Sequence, residues 1–154
     1  MLRNHGVDFM IVGGQAAQFH GSSRVTFDTD LAYRRTQTNL ERLASALNEL
    51  HPTLRGAPPD LPYQIDARSL SLGSNFTFST DLGPLDLLGW VEPIGDFDAL
   101  MANAVEVDFE GTPVVVLGLD DLIRVKEHVR RDKDLAALAE LYAIRDERDR
   151  QARP

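Results

Sequence analysis

A short apolar run over residues 7–12 ends on Gly13-Gly14 and passes at once into Gln15-Ala16-Ala17-Gln18-Phe19-His20, a stretch of good helix formers that stops at Gly21. The run reads as a buried strand. The stretch after it predicts a helix closed by a glycine. The glycine pair therefore belongs at a strand-to-helix turn, and a chain built on that unit folds as strands and helices in alternation. Such a turn exposes backbone N–H groups in the positive potential of a helix start, and glycine lets the backbone approach a phosphate closely. A glycine pair at this place also serves simply as a tight turn.

The remaining pattern follows the same alternation. Residues 25–33 alternate and carry β-formers, which predicts a strand. Thr38 and Glu41 have the spacing of a capping box. Leu40, Leu43, Leu47 and Leu50 then recur at helical spacing as core positions, up to Pro52. Gly56, Pro58, Pro59 and Pro62 make 55–62 a loop. Two strands are expected over 75–79 and 83–89, joined by a turn around Asp81-Leu82-Gly83. Asp96 caps a short helix over 96–104. Strands over 105–109 and 112–117 flank Glu110-Gly111, a two-residue hairpin signal. Helices follow over 120–130 and 133–144. The expected fold class is α/β (α+β), a mixed β-sheet with helices packed on it. It forms one domain over 1–144, with a charged, disordered tail over 145–154.

A chain of 154 residues fits one domain with a real core. There is no cysteine, so disulfides and thiolate metal sites are excluded, and any metal must be held by carboxylates, histidines or water. No apolar run approaches the roughly 20 residues that span a bilayer. The first residues carry no signal-peptide apolar region. A cytoplasmic location without a membrane partner is expected. The net charge of −8 argues against a general, non-specific nucleic-acid binder.

Three acids carry the chemistry. On a strand, Asp28 and Asp30 share one face, about 7 Å apart. Two such carboxylates repel, and a divalent cation with oxygen ligands is their natural counter-charge; the alternative is a solvated strand face. In Leu85-Asp86-Leu87-Leu88 an aspartate interrupts an apolar strand, a position where Asp is depleted, unless it caps a turn. If its strand neighbours the Asp28/Asp30 strand, three carboxylates converge. That is enough to hold two magnesium ions roughly 4 Å apart for in-line phosphoryl transfer. Arg24, in the loop before the acids, is a candidate phosphate contact or a surface ion pair. Lys126 and Arg130 form an i,i+4 pair on one helical face. His20 ends a helix, where it touches substrate or, the favoured reading, the dipole stabilises its cation. Tyr33 and Trp90 are core or edge aromatics, or stack on a base.

Taken together, Val12-Gly13-Gly14-Gln15-Ala16, His20-Gly21, Arg24, Thr26, Asp28, Asp30 and Asp86 resemble the signature of the nucleotidyltransferase superfamily, related in fold to the palm of DNA polymerase beta. The string VGGQAAQFHGSSRVTFDTDLAY is especially similar to the minimal, AbiEii-toxin-like branch. GPLDLLG and DLIRVKEHVRRDKDLAAL are similar to later parts of those proteins, so the likeness runs over residues 7–141. Two departures stand out. Many active members carry serine where this chain has Gly14, although the toxin-like branch tends to carry glycine. Relatives also have a helix before the first strand, where residues 1–5 leave room for one turn.

The resemblance implies a nucleotidyltransferase fold and a metal-dependent reaction. A nucleoside monophosphate passes from a nucleoside triphosphate to a hydroxyl of an RNA, a protein or a small molecule. Asp28, Asp30 and Asp86 would be the catalytic residues and the ligands of Mg²⁺ (or Mn²⁺). Gly13, Gly14 and Arg24 would bind the phosphates, with Lys126 and Lys133 facing the nucleotide; a solvated helical face is the alternative for both lysines. A cognate antitoxin and a second copy of the chain, meeting at a sheet edge or near Trp90, are candidate partners. The competing readings are a non-catalytic nucleotide- or partner-binding domain of the same fold and a metal-dependent phosphohydrolase.

Overall fold

The computed structural model describes residues 1–58 and 65–153. A 3-10 turn, Leu2–His5, leads to β1 (Phe9–Ile11), then α1 (Gly13–Phe19), β2 (Thr29–Tyr33) and α2 (Gln37–Asn48). The middle of the chain forms β3 (Thr53–Leu54), α3 (Ala67–Leu72), β4 (Asn75–Thr80), β5 (Gly83–Leu88) and α4 (Phe97–Met101). A hairpin of β6 (Val105–Phe109) and β7 (Thr112–Val116) precedes α5 (Leu119–Val129) and α6 (Asp132–Gln151). Among the described residues the seven strands form one mixed sheet in the order β3-β4-β5-β2-β1-β7-β6. β2 runs parallel to β5 and antiparallel to β1, which is parallel to β7. The α/β expectation of a mixed sheet carrying helices is met.

Strand alternation divides the core between the two faces. Met10, Val12 and Ala32 point to a cluster built with α1, α4, α5 and α6, including Leu100, Leu122 and Leu141. Their neighbours Leu31, Tyr33, Leu85 and Leu87 point to the opposite cluster with Leu40, Leu43 and Leu47 of α2 and Leu70 of α3. Each fully buried leucine contributes about 1.5–3 kcal/mol relative to exposure. Of the four helical leucines expected as core, Leu40, Leu43 and Leu47 are buried, while Leu50 lies past the helix end and is half-buried. At the hairpin, Glu110 (φ 51°) and Gly111 (φ 77°) both adopt positive φ, as a tight type I′ connection requires.

Several boundaries differ from expectation. β2 starts at Thr29 rather than at residue 25, because its ladder with β1 ends at Ile11↔Leu31 and the Val12 N–H to Asp30 carbonyl bond, after which β1 turns into α1. Val25 and Phe27 are exposed instead. α2 is capped by Thr36, which accepts from the Asn39 N–H; Glu41, expected in a capping box with Thr38, accepts from Gln37 Nε2 at 2.9 Å. α3 was not expected. Its Asp66/Ser69 capping box uses serine where glutamate or glutamine is the usual signal. The expected loop over 55–62 lies partly outside the described residues.

The segment from Arg145, expected without order, continues α6 to Gln151. Charged i,i+3 and i,i+4 pairs support it: Glu147 accepts from Arg150 at 2.8 Å and from Gln151 at 2.9 Å. Arg148 donates to His20 Nδ1 at 3.1 Å and to the His20 carbonyl, tying the end of α6 to the end of α1.

Candidate functional site

The parallel pairing of β2 with β5 sets Asp30 directly beside Asp86. Paired strands lie about 4.8 Å apart, and both side chains point to the face that carries α1, α5 and α6. Asp28 lies one residue before β2, in a bend rather than on the strand, so it reaches the site from a loop. The order β1, Gly13-Gly14, α1 brings a helix start over these acids. Gly13 has φ 62°, and a Cβ there would stand 2.0 Å from Asp30 Oδ2. A Cβ on Gly14 would stand 2.8 Å from Thr26 Cβ and Oγ1. Gly13 is therefore required by the turn and by close approach, and Gly14 by close approach. The Gly14 N–H donates to Asp30.

A cavity of about 190 Å³ unites the candidates. Gly13, Gly14, Arg24, Asp28, Asp30, Asp86, Lys126 and Lys133, the eight residues expected to ligate metal or bind nucleotide, line it. Size alone does not mark this place: an apolar cavity of about 570 Å³ lined by Phe9, Leu31 and Leu85 contains none of the acids. Burial, the charge of Asp86 and that of Asp28 raise the Asp30 pKa above the ordinary carboxylate range. The Gly14 N–H and Lys133 pull it down but do not win. Asp30 therefore lacks full counter-charge. Asp86 has a partner in Arg55, whose guanidinium donates to Asp86 Oδ1. Arg55 follows β3, and its own N–H bonds the Thr77 carbonyl of β4 at 2.9 Å.

The basic residues are held unequally. Lys126 is nearly buried and donates to Asp134 Oδ1 at 3.2 Å, while Arg131 Nε donates to Asp134 Oδ2 at 2.7 Å. Burial would raise the pKa of Asp134, but these two cations outweigh it and lower it. Lys133 is exposed and faces the acids without such an anchor. Arg24 sits in a loop that Glu140 of α6 clamps, accepting from Ser22 Oγ at 2.7 Å and from Ser23 N at 2.7 Å. Arg130, paired with Lys126 in the sequence reading, does not reach the site. Its left-handed φ of 54° ends α5, and it lines a separate cavity with Glu127 and Tyr142.

His20 is not a dipole-stabilised cation. It is buried, with Nε2 2.6 Å from the Leu117 carbonyl, and burial lowers its pKa, so it serves as a neutral tie between α1 and the end of β7. Tyr33 is buried, with its hydroxyl on the Ser74 carbonyl at 2.8 Å. Trp90 is half exposed beside the acids. Arg55, Arg131 and Thr26 were not singled out as site residues. Arg55 carries no local motif and enters through tertiary pairing, whereas Arg131 enters through an i,i+3 pair with Asp134 at the start of α6. Thr26 was legible only as part of the resemblance string.

The acids fit a hard cation, since every donor is oxygen and Asp30 is left repelled by its neighbours. Among the described residues no three ligating side chains are gathered at metal-binding spacing. Magnesium does not require a closed cage, because it takes one or two carboxylates together with substrate phosphates and water.

No family model and no curated protein matches the chain. Solved structures do. A Thermotoga maritima protein assigned as a nucleotidyltransferase aligns over 97% of this chain and 86% of its own, with a TM-score of 0.53 and 13% identity. ANT(2″)-Ia, solved in complex with adenylyl-2″-tobramycin, aligns over 97% of this chain and 92% of its own, with a TM-score of 0.55 and 15% identity. The architecture of this chain is a nucleotidyltransferase fold. At this level of identity the likeness is one of fold. Among the described residues no helix is long and apolar enough to cross a membrane.

Proposed function

We propose that this chain is a metal-dependent nucleotidyltransferase that moves a nucleoside monophosphate from a nucleoside triphosphate to a hydroxyl acceptor. The reading rests on one observation: the parallel register sets Asp30 beside Asp86 under a glycine turn that has no room for a side chain. Asp28, Asp30 and Asp86 hold Mg²⁺ or Mn²⁺, which when bound neutralises the triphosphate and polarises its α-phosphoryl group. The Gly13-Gly14 turn, Arg24 and Lys133 bind the leaving phosphates. Lys126 is held by Asp134 toward the same cavity and acts as a fixed positive charge. Asp86 is the acid closest to the open face of β4 and accepts the acceptor's proton. This chemistry is mostly positioning and charge neutralisation. The acceptor is an RNA, a protein or a small molecule. The toxin-like string of the first motif makes a cognate antitoxin the partner to look for.

The Arg55–Asp86 pair favours a second reading, a non-catalytic nucleotide- or partner-binding domain in which an internal cation replaces the metal at the third acid. Calorimetric titration of Mg²⁺ and Mn²⁺ with each common nucleoside triphosphate decides between them, run beside the Asp28→Asn/Asp30→Asn double variant. Metal-dependent triphosphate binding that the double variant loses is expected. Wild type and variant alike binding neither metal nor nucleotide would sink the catalytic reading and turn the search to protein partners.

A further inference from the structure

Six residues of the acid site, Gly13, Asp30, Asp86, Lys126, Arg131 and Asp134, also line a second cavity of about 330 Å³. The two cavities differ in chemistry. The first holds Gly14, Arg24 and Lys133 and suits phosphate. The second runs from the acids past the end of β5, where Asp86 and Leu88 share one strand face and Trp90 follows two residues beyond the strand. The opposite wall is α5, through Leu122, Val125 and Val129.

Two of these apolar side chains are unusually open for their type: Trp90 is 49% exposed and Val129 is 42% exposed. The indole is nevertheless fixed. Its Nε1 donates to Glu92 Oε1 at 2.9 Å, and the Trp90 backbone N–H bonds Asn75 Oδ1 at 3.2 Å. The result is an oriented aromatic ring and an aliphatic wall on a common cavity, continuous with the acids. We infer that this slot binds the nucleobase of the triphosphate, with Trp90 stacking on the ring and Val125 and Val129 closing over it. The inference rests on the nucleotidyltransferase reading and names where its nucleoside half lies.

The directions around the acids agree. With the leaving phosphates in the cationic cavity beside α1, an in-line acceptor must arrive from the other side of the acid pair. That side is the exposed face of β4, where Thr77 is the register partner of Asp86 and Ser79 lies two residues on. The slot between Trp90 and α5 is neither of these directions, and it is the remaining path away from the α-phosphate. Its two facing sides, Leu88 and Trp90 against Leu122, Val125 and Val129 of α5, are apolar, suited to a base and not to a phosphate.

Trp90 is the chain's single tryptophan, so selectively excited tryptophan emission, free of the three tyrosines, reports on this slot. The wild-type protein is titrated with ATP, GTP, CTP and UTP in the presence of Mg²⁺, and with inorganic triphosphate, which fills the phosphate cavity without a base. Binding is followed in parallel by calorimetry. At least one nucleotide is expected to bind with a change in Trp90 emission, and inorganic triphosphate to bind without one. Trp90→Ala should weaken that nucleotide roughly tenfold, the range of one base–aromatic stack, and leave inorganic triphosphate within about twofold. Trp90→Phe should restore most of the loss. Val129→Gln, at an exposed helix end, should weaken the nucleotide and not the triphosphate. Nucleotide binding with unchanged emission and wild-type affinity in Trp90→Ala would overturn the base slot and leave the phosphate site standing. Failure of nucleotide and inorganic triphosphate alike to bind would overturn both this assignment and the nucleotidyltransferase reading beneath it.

Discussion

Asp134 and Asp30 line the same two cavities and are both withdrawn from solvent, yet their carboxyls are displaced in opposite directions. Asp134 sits between Lys126 and Arg131, with hydrogen bonds to both. Asp30 faces the charges of Asp86 and Asp28, with one backbone N–H and the charges of Lys133 and Arg131 to offset them. A buried carboxylate with two cations is a finished structure. A half-buried carboxylate facing two other acids is disfavoured as an anion, and a cation arriving from outside relieves it. The contrast separates a residue that holds the site together from residues that wait for a ligand.

The largest effect should fall on the finished cluster. Asp134→Ala leaves Lys126, nearly buried, without its partner, and removing one member of a buried pair costs about 3–5 kcal/mol. Chemical denaturation measures this. The pH dependence sharpens it. Because the folded pKa of Asp134 lies below its unfolded value, its contribution is complete above the ordinary carboxylate range and is lost only as pH falls through the depressed folded value. The gap between wild type and variant should hold from neutral pH down to about 4. A gap already closed at pH 6 would show that Asp134 is not the ionised anchor it is taken to be.

The open acids should behave in reverse. Asp28→Asn/Asp30→Asn should weaken metal-dependent triphosphate binding by about 100-fold or more, following the 10- to 100-fold seen when metal-site partners are lost one at a time, without loss of fold. Asp30→Asn alone should stabilise the apo protein by about 0.5–2 kcal/mol, as removal of strain at a binding site often does. Here too the sign follows from the pKa. Asp30 is raised, so its ionised form works against the fold as pH rises through its folded value. The advantage of the variant should therefore be greatest at neutral pH and shrink in mild acid. A destabilised Asp30→Asn would break the comparison, since it would make Asp30 a structural acid like Asp134.

The sequence carried this site further than it carried the fold's edges. The glycine pair, Asp28, Asp30 and Asp86 were readable because each is a local irregularity: glycines at a turn, an Asp-x-Asp, an acid in an apolar strand. That Asp30 and Asp86 are register partners depends on β2 and β5 pairing across 50 residues of chain, and only a resemblance could suggest it. Asp134 is one charge among several at a helix junction, and its role comes from Lys126 on another helix, which spacing does not encode. Arg55 lay in a proline-rich stretch with no pattern at all. The end of α6 was misread because it lacks an apolar period. Arg148 and side-chain pairs along the helix stabilise it, and neither leaves a hydrophobic signal.

Arg55 gives the smallest effect and the finest test of the comparison. It makes Asp86 an intermediate case, an acid of the open set that already has one cation. Both partners keep partial solvent contact, with side chains 37% and 22% exposed, and pairs of that kind are worth about 0–1 kcal/mol. If Asp86 belongs to the waiting acids, Arg55 competes with the metal. Arg55→Gln should then tighten Mn²⁺ binding, by at most about fivefold for an interaction of that size, as read by titration against a paramagnetic signal. If Asp86 belongs with Asp134, the pair is structural. In that case Arg55→Gln lowers stability, leaves Mn²⁺ affinity unchanged or weaker, and removes Asp86 from the metal site.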